Sequence, residues 1–216
     1  MTIWHWISAL ASMTVLGPAG VAIALWLAIG SSWRLALAWC LLYGAGLGIV
    51  VLSKLAFIGW GIGINAADFT GFSGHAFRSA AVIPVACFVA LRGVSRRTRL
   101  VGVGFGVAFA LLVSVARVEG GEHSVSEAVT GTLLGLLVAF AFIHHARESQ
   151  RFVLSRSLVL ASLCLLALTP RIEPVQTESV LTEAALYLSG HDRPFTRMDW
   201  PQEQQSQQQG RGSLLR

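Results

Sequence analysis

Charged side chains are scarce in this sequence. Asp, Glu, Lys and Arg make up 12% of its 216 residues, whereas a soluble globular domain carries about 25%. Hydrophobic residues make up 54% of the chain and stand in long runs. This imbalance excludes an ordinary soluble domain and predicts an all-α, polytopic membrane helix bundle.

The sequence also has few cysteines, and its first residues lack basic side chains. The sequence has three cysteines, Cys40, Cys87 and Cys164, which lie inside apolar runs at spacings that fit no metal motif. We interpret them as buried free thiols. The first 33 residues contain no Lys or Arg, so we expect no cleavable signal peptide.

The apolar runs predict about six transmembrane helices, because a bilayer needs about 20 apolar residues per helix. The predicted spans are 8–29, 35–53, 76–91, 100–116, 127–143 and 152–169. They form one helical bundle over residues 1–170. Residues 171–216 are expected to be a polar tail, with a short amphipathic helix at 177–190 and a disordered Gln-rich end at 202–210.

The arginines predict the orientation. They cluster in the turns 92–99 and 144–151, and Arg34 follows the first span. These turns share one side of the bundle, which the positive-inside rule assigns to the cytoplasm. We therefore expect an integral protein of a bacterial inner (plasma) membrane. The net charge of +5 is then a topology signal and indicates no nucleic-acid partner.

Polar side chains gather at the opposite, outer ends of the predicted spans. They are Lys54, Ser73, His75, Arg78, Arg117 and His123. Each alone has an ordinary explanation, since Ser-Gly-His suits a helix N-terminus and long cations snorkel to lipid headgroups. Two histidines and three cations converging on one face instead indicate a functional site. The acidic residues of the same loops, Asp68, Glu119 and Glu122, are interpreted as loop solvation.

The stretch ARVEGGEHSVSE (116–127) predicts a local arrangement. His123 and Glu127 are four residues apart and share a face if a helix begins there. A carboxylate bonded to one imidazole nitrogen fixes the tautomer and leaves the other nitrogen free for chemistry. Gly120 and Gly121 let the loop fold back toward Arg117.

These segments resemble the type-2 phosphatidic acid phosphatase superfamily, which comprises membrane lipid-phosphate phosphatases related to vanadium haloperoxidases. The family pattern is Lys-x6-Arg-Pro, then Pro-Ser-Gly-His, then Ser-Arg-x5-His-x3-Asp. FSGH (72–75) and ARVEGGEHSVSE match the second and third parts, with Phe72, Ala116 and Glu127 as departures. The first part is degenerate, because Lys54 is present but Gly61 and Ile62 replace Arg-Pro. The resemblance covers residues 35–143.

The resemblance implies a phosphatase that hydrolyses a lipid phosphate or diphosphate at the outer membrane face through a phosphohistidine. In that scheme His123 is the nucleophile, Glu127 orients it, and His75 is the general acid. The phosphate ligands would be Lys54, Ser73, the Gly74 backbone N–H and Arg117, with Arg78 in place of the missing arginine.

The implied partners are a lipid phosphate substrate and membrane lipids. No metal and no other cofactor is implied, because fixed cations supply the positive charge. The substrate stays open among phosphatidic acid, phosphatidylglycerol phosphate, undecaprenyl diphosphate and lipid A phosphates. The alternative is a non-catalytic relative that binds lipid phosphate and has a scaffold or transport role, an alternative that the lost Arg-Pro favours.

Overall fold

The computed structural model describes residues 13–30, 32–147, 162 and 177–200. The predicted all-α fold class is confirmed for these residues, which contain no β-strand. They form α1 (Met13–Ile29), α2 (Trp33–Trp60), α3 (Gly74–Ala90), α4 (Arg96–Glu119), α5 (Val125–Arg147) and α6 (Thr177–Ser189). Two short 3₁₀ helices, Asn65–Ala67 and Arg197–Asp199, lie in the connecting segments.

Among the residues that the structure describes, three helices are long and apolar enough to cross a membrane. They are α2, α4 and α5, with 28, 24 and 23 residues. Helices α1 and α3 are also apolar, but each has 17 residues and so spans about 26 Å, less than a hydrocarbon core of about 30 Å. The sixth predicted span, 152–169, lies outside the described residues except for Ser162.

Apolar side chains on these helices also face outward. Leu133 and Leu137 on α5 are 59% and 67% exposed, and Phe105 on α4 is 66% exposed. Cys40 is exposed and Cys87 is half-buried, so the interpretation of these two as buried thiols is wrong. A helix face that points away from the bundle has no protein packed against it. Apolar side chains on such a face are explained by contact with lipid hydrocarbon.

The chain divides into two compact units. The first contains residues 1–50 and 72–175, and the second contains 51–71 and 176–216. Helix α2 contributes to both. The structure therefore groups residues 51–71 with the C-terminal segment, whereas the sequence-based boundary at residue 170 kept them with the bundle.

Helix α3 lies at the centre of the first unit and packs against α1, α4 and α5. Aromatic rings join it to α2, because Tyr43 stacks between Trp39 and Phe77 at centroid distances of 5.0 and 5.8 Å. A Cβ atom at Gly46 would lie 2.7 Å from the Phe77 ring. The missing side chain thus lets α2 approach α3 closely.

Two glycines on α5 bring its backbone against α3. A Cβ atom at Gly131 would lie 2.7 Å from the Ser73 carbonyl oxygen, and one at Gly135 would collide with the Phe77 carbonyl oxygen. This G-x-x-x-G spacing is typical of close helix pairs in membranes. It holds the N-termini of α3 and α5 side by side, next to the C-terminus of α4. We call this part of the first unit the site end.

In the second unit, α6 and the segment after it pack on the last turns of α2. A Cβ atom at Gly59 would lie 3.3 Å from the Ala185 carbonyl oxygen. The Phe195 N–H donates to the Ile58 carbonyl at 2.9 Å, and Phe57 meets Trp200 edge to face. The helix predicted at 177–190 is present as α6, whereas the Gln-rich end at 202–210 lies outside the described residues.

Candidate functional site

The start of α5 is fixed by a capping box. The Ser124 N–H donates to Oε2 of Glu127, and the Glu127 N–H donates to Oγ of Ser124, both at 3.3 Å. This reciprocal pair satisfies two backbone donors at a helix N-terminus. It also turns the Glu127 carboxylate back toward the residue that precedes the cap, which is His123.

The imidazole of His123 is bonded to that same carboxylate oxygen. Nδ1 of His123 lies 2.8 Å from Oε2 of Glu127, and the two side chains are 8% and 2% exposed. Because a carboxylate accepts, Nδ1 carries the proton, and Nε2 of the neutral ring keeps its lone pair. The pairing predicted from the four-residue spacing is therefore present.

The loop before α5 folds back onto the end of α4. The N–H groups of Glu122 and His123 donate to the Arg117 carbonyl at 3.2 and 3.3 Å. Gly121 turns the chain with φ of +68°, in the left-handed region that favours glycine. His123 is thus held over the last turn of α4, as the two glycines predict.

Arg117 is nearly buried and has a carboxylate partner. Its side chain is 8% exposed, and Nη2 forms an ion pair with Oε2 of Glu122. The interpretation of Glu122 as loop solvation is therefore wrong, because the backward fold of the loop brings its carboxylate to the guanidinium. An anion that binds Arg117 must compete with Glu122, whose side chain is 44% exposed.

The start of α3 lies against the start of α5. The Ser73 N–H donates to the Glu127 carbonyl at 3.1 Å, which joins the second sequence motif to the third. The Ser73 hydroxyl, fully buried, accepts from the Ala76 N–H at 3.5 Å and caps α3. The ordinary capping role thus applies to Ser73, whose O–H proton can still be donated to an anion.

Arg78 folds across Gly74. A Cβ atom at Gly74 would lie 3.2 Å from Nη1 of Arg78, so the glycine leaves room for the guanidinium. Arg78 is 7% exposed. Its Nε has no hydrogen-bond partner among the residues that the structure describes. A buried donor in this state is unusual, since almost all buried polar groups are hydrogen-bonded.

The charge of Arg78 acts on two neighbours, Tyr43 and Arg117. The tyrosine contributes a phenol, and the second arginine contributes a like charge that repels the first. Taking one cation out of water is costly, and placing two together adds to that cost. An anion between them would lower it, so the site end is suited to a negatively charged group.

The structure brings six of the eight predicted site residues into one region. Arg78 lies over Gly74, which follows Ser73 in the sequence, Ser73 bonds Glu127, Glu127 holds His123, and His123 bonds the backbone of Arg117. The positive charges of Arg117 and Arg78 repel each other.

The other two predicted site residues are His75 and Lys54. His75 is half-buried on the first turn of α3. Lys54 belongs to the second unit, where its Nζ lies 3.7 Å from Oε1 of Glu178.

Sequence reasoning missed three residues of the site end. Ser124 had a signal, since S-x-x-E before an apolar run is typical of a capping box. Tyr43 had a weaker one, because it is one of two tyrosines in the chain and stands inside an apolar run. The pairing of Glu122 with Arg117 had none, because it depends on the path of the loop.

Within the described ranges, no group of three or more His, Cys, Asp or Glu side chains is placed to hold a metal ion. His123 and Glu127 bond each other. The arrangement can offer an imidazole lone pair next to two guanidinium groups, which is suited to a tetrahedral oxyanion.

Comparison with known proteins gives one informative match. The chain is 34% identical over 202 residues to a Klebsiella pneumoniae protein described as an uncharacterized 22.5 kDa protein in cps region. The match covers 91% of this chain and 96% of the relative. No protein-family model and no solved structure matches the chain. The chain belongs to the same family as the Klebsiella protein.

Proposed function

We propose that this member of the Klebsiella protein's family is an integral membrane phosphatase that hydrolyses a lipid phosphate or diphosphate. The observation that carries the proposal is the buried His123–Glu127 pair beside two buried arginines, Arg78 and Arg117. A hydrogen-bonded imidazole alone is common in proteins. Its combination with two buried guanidinium groups, one of them paired with the partly exposed Glu122, favours a phosphoryl-transfer site.

In the first step, Nε2 of His123 attacks the phosphorus atom. A nitrogen–phosphorus bond forms, the bond to the leaving oxygen breaks, and its electron pair stays on that oxygen. His75 then donates a proton to the leaving oxygen. The ring of His123 becomes positively charged during attack, and the carboxylate of Glu127 stabilises that charge through Nδ1.

In the second step, water attacks the phosphohistidine. The water loses a proton to His75, which the first step left deprotonated, and the nitrogen–phosphorus bond breaks to release inorganic phosphate. His123 and His75 are then restored to their starting states. Dividing the reaction into two displacements is the usual advantage of a covalent intermediate.

The arginines stabilise the charge on the equatorial oxygens of the phosphoryl group. Arg78 and Arg117 approach from α3 and α4, and the first N–H groups of α3 add backbone donors at Gly74. Glu122 has to release Arg117 when the phosphate binds. The Glu122 side chain is 44% exposed and can swing into solvent.

The proposal includes a six-span topology in a bacterial inner membrane. The arginine-rich turns face the cytoplasm, and the site end faces outward. A site at the membrane boundary takes the phosphate head of a substrate while its hydrocarbon chain stays in lipid. Phosphatidic acid, phosphatidylglycerol phosphate, undecaprenyl diphosphate and lipid A phosphates all meet this description.

The second candidate is a non-catalytic protein that binds lipid phosphate. It is favoured by the first motif, in which Gly61 replaces the family's arginine. Gly61 has φ of +67°, and a Cβ atom there would lie 3.0 Å from the Phe195 ring. An arginine at this position would therefore have a strained backbone and would crowd the Phe195 ring.

Phosphate release by detergent-purified protein separates the two candidates. Lipid phosphates would be tested one by one with a chelator present. We expect release from at least one substrate, no detectable release by His123→Ala, and near wild-type release by His144→Ala, an exposed histidine at the other end of α5. Substrate labelled with radioactive phosphate should also leave an acid-labile, base-stable label on the wild type.

The possible results have distinct meanings. Release by His123→Ala at the wild-type rate would contradict the phosphohistidine mechanism. Binding of lipid phosphates that depends on Arg78 and Arg117, without release from any substrate, would favour the non-catalytic candidate.

A further inference from the structure

A recess of about 270 Å³ lies at the opposite end of the first unit from the site end. It is formed where α3 ends, α4 begins and α5 ends, and we call it the arginine recess. Four arginines line it: Arg92, Arg96, Arg99 and Arg147. The proposed reaction uses none of them. The positive-inside rule explains why arginines stand on this side, but it does not explain why they surround a recess.

Two of these arginines are held in place by the protein. The guanidinium groups of Arg99 and Arg92 lie 5.4 and 5.9 Å from the centroid of the Phe88 ring. Nη1 of Arg92 also donates to the Ala146 carbonyl at 2.9 Å. Stacking on a ring orients a guanidinium without neutralising it. These side chains are therefore positioned before any ligand arrives.

Among the residues that the structure describes, the lining of the recess contains no acidic side chain. Burial, and then repulsion by Arg99, lowers the pKa of Arg92. An anion between these guanidinium groups would relieve the repulsion.

The wall of the recess is apolar and open to the outside. Phe140 and Leu100 line it and are 48% and 50% exposed. A small inorganic anion would gain nothing from these side chains, whereas an amphiphile would cover them. The volume is slightly below the range of about 300–1,000 Å³ that is usual for small-molecule sites. It suits a headgroup, with the attached chains running along the outer surface of α4 and α5.

We propose that the arginine recess binds the headgroup of an anionic phospholipid. Its phosphate is held by the four arginines, and its chains contact Leu100 and Phe140. Basic pockets between helices at the cytoplasmic membrane surface have the right chemistry for such lipids. A headgroup with two phosphates matches four cations better than a headgroup with one, so a diphosphatidyl lipid binds more tightly than phosphatidylglycerol.

Native mass spectrometry of the detergent-solubilised full chain tests this proposal. Cardiolipin, phosphatidylglycerol and phosphatidylethanolamine would be added in turn. We expect retention in that order, with little phosphatidylethanolamine bound. Arg99→Gln should weaken cardiolipin retention about fivefold, which corresponds to about 1 kcal/mol for one basic residue.

Arg97→Gln is the matched control. Arg97 stands two residues from Arg99 on the same helix, is exposed and does not line the recess. Its loss should leave cardiolipin retention unchanged. Equal weakening by Arg97→Gln and Arg99→Gln would overturn the proposal, because it would indicate general surface charge and no defined site.

A second variant tests the apolar wall. Phe140→Ala should weaken cardiolipin retention while leaving the charges intact. If inorganic pyrophosphate at equal concentration displaces cardiolipin fully, the ligand is a soluble anion and the lipid proposal fails. Should Arg99→Gln fail to fold, Arg96→Gln replaces it, since Arg96 lines the recess from an exposed first turn.

Discussion

The two ends of the first unit both collect arginines, but they surround them differently. At the site end, Arg78 and Arg117 are each 7% exposed and stand beside a histidine that a carboxylate holds. At the arginine recess, Arg92 is half-buried, Arg96 is exposed, and the partner is an aromatic ring. In the two proposals, this contrast distinguishes a site that binds an anion from a site that reacts with one. Both ends provide cations, and the site end adds a histidine whose tautomer is fixed by a carboxylate.

Labelling from the two sides of a membrane is expected to give the largest effect. It tests whether the site end and the arginine recess face opposite sides of the membrane. In a cysteine-free background, Glu119→Cys should react with an impermeant maleimide in intact cells, and Gly93→Cys only after permeabilisation. Both positions are exposed, and Gly93 has no atom within 4 Å of an added Cβ. The reverse pattern would place the site in the cytoplasm.

The Arg78→Met substitution tests whether a buried arginine at the site end acts differently from the more exposed arginines of the recess. Removing one transition-state cation should lower turnover by about a hundredfold or more. The melting temperature should not fall, because an uncompensated buried charge is replaced by an apolar chain of similar length. Arg99→Met at the other end should leave turnover within about twofold. A folded and fully active Arg78→Met protein would remove Arg78 from the site.

The close approach of α3 and α5 positions the site end and can be tested on its own. Gly131→Ala places a Cβ atom 2.7 Å from the Ser73 carbonyl oxygen, so the helices must separate. We expect a loss of about 1–3 kcal/mol in the free energy of unfolding, measured as a lower melting temperature, and reduced turnover. Gly104→Ala on α4 meets no atom within 4 Å and should not destabilise the protein. Equal melting temperatures would contradict the packing.

Glu122→Gln should give the smallest effect. It removes the carboxylate that competes for Arg117, so inorganic phosphate should inhibit the proposed phosphatase activity at a concentration about two- to fivefold lower. Glu119→Gln, which removes a neighbouring exposed carboxylate, should leave the inhibition constant unchanged. If both variants shift it equally, the cause is the net charge of the loop and not the ion pair.

Local features of this chain could be predicted from the sequence. Apolar runs located α1 to α5 within several residues, because the length and composition of a helix depend on residues that are consecutive in the sequence. The end of α2 was placed too early, at residue 53. One lysine does not stop a helix, and α2 continues through Lys54 to Trp60, just before the positive φ of Gly61. The His123–Glu127 pair was predictable because both residues lie on one turn.

The remainder of the site end depends on contacts between distant segments. Tyr43, Arg78 and Arg117 come from three helices, and only the packing of α2, α3 and α4 brings the phenol and the two guanidinium groups near one another. The neighbour of Gly61 is equally remote in sequence, since Phe195 comes from the C-terminal segment. Neither spacing nor residue type carries this information.

One carboxylate oxygen of Glu127 bonds both the Ser124 N–H and the His123 ring. Fraying of the first turn of α5 therefore releases the imidazole, and the ring can then rotate into unproductive orientations. Local opening of one helix end and loss of imidazole alignment become the same event. The rate of amide hydrogen exchange at Ser124 thus reports how often the histidine is out of position, with no substrate needed to observe it.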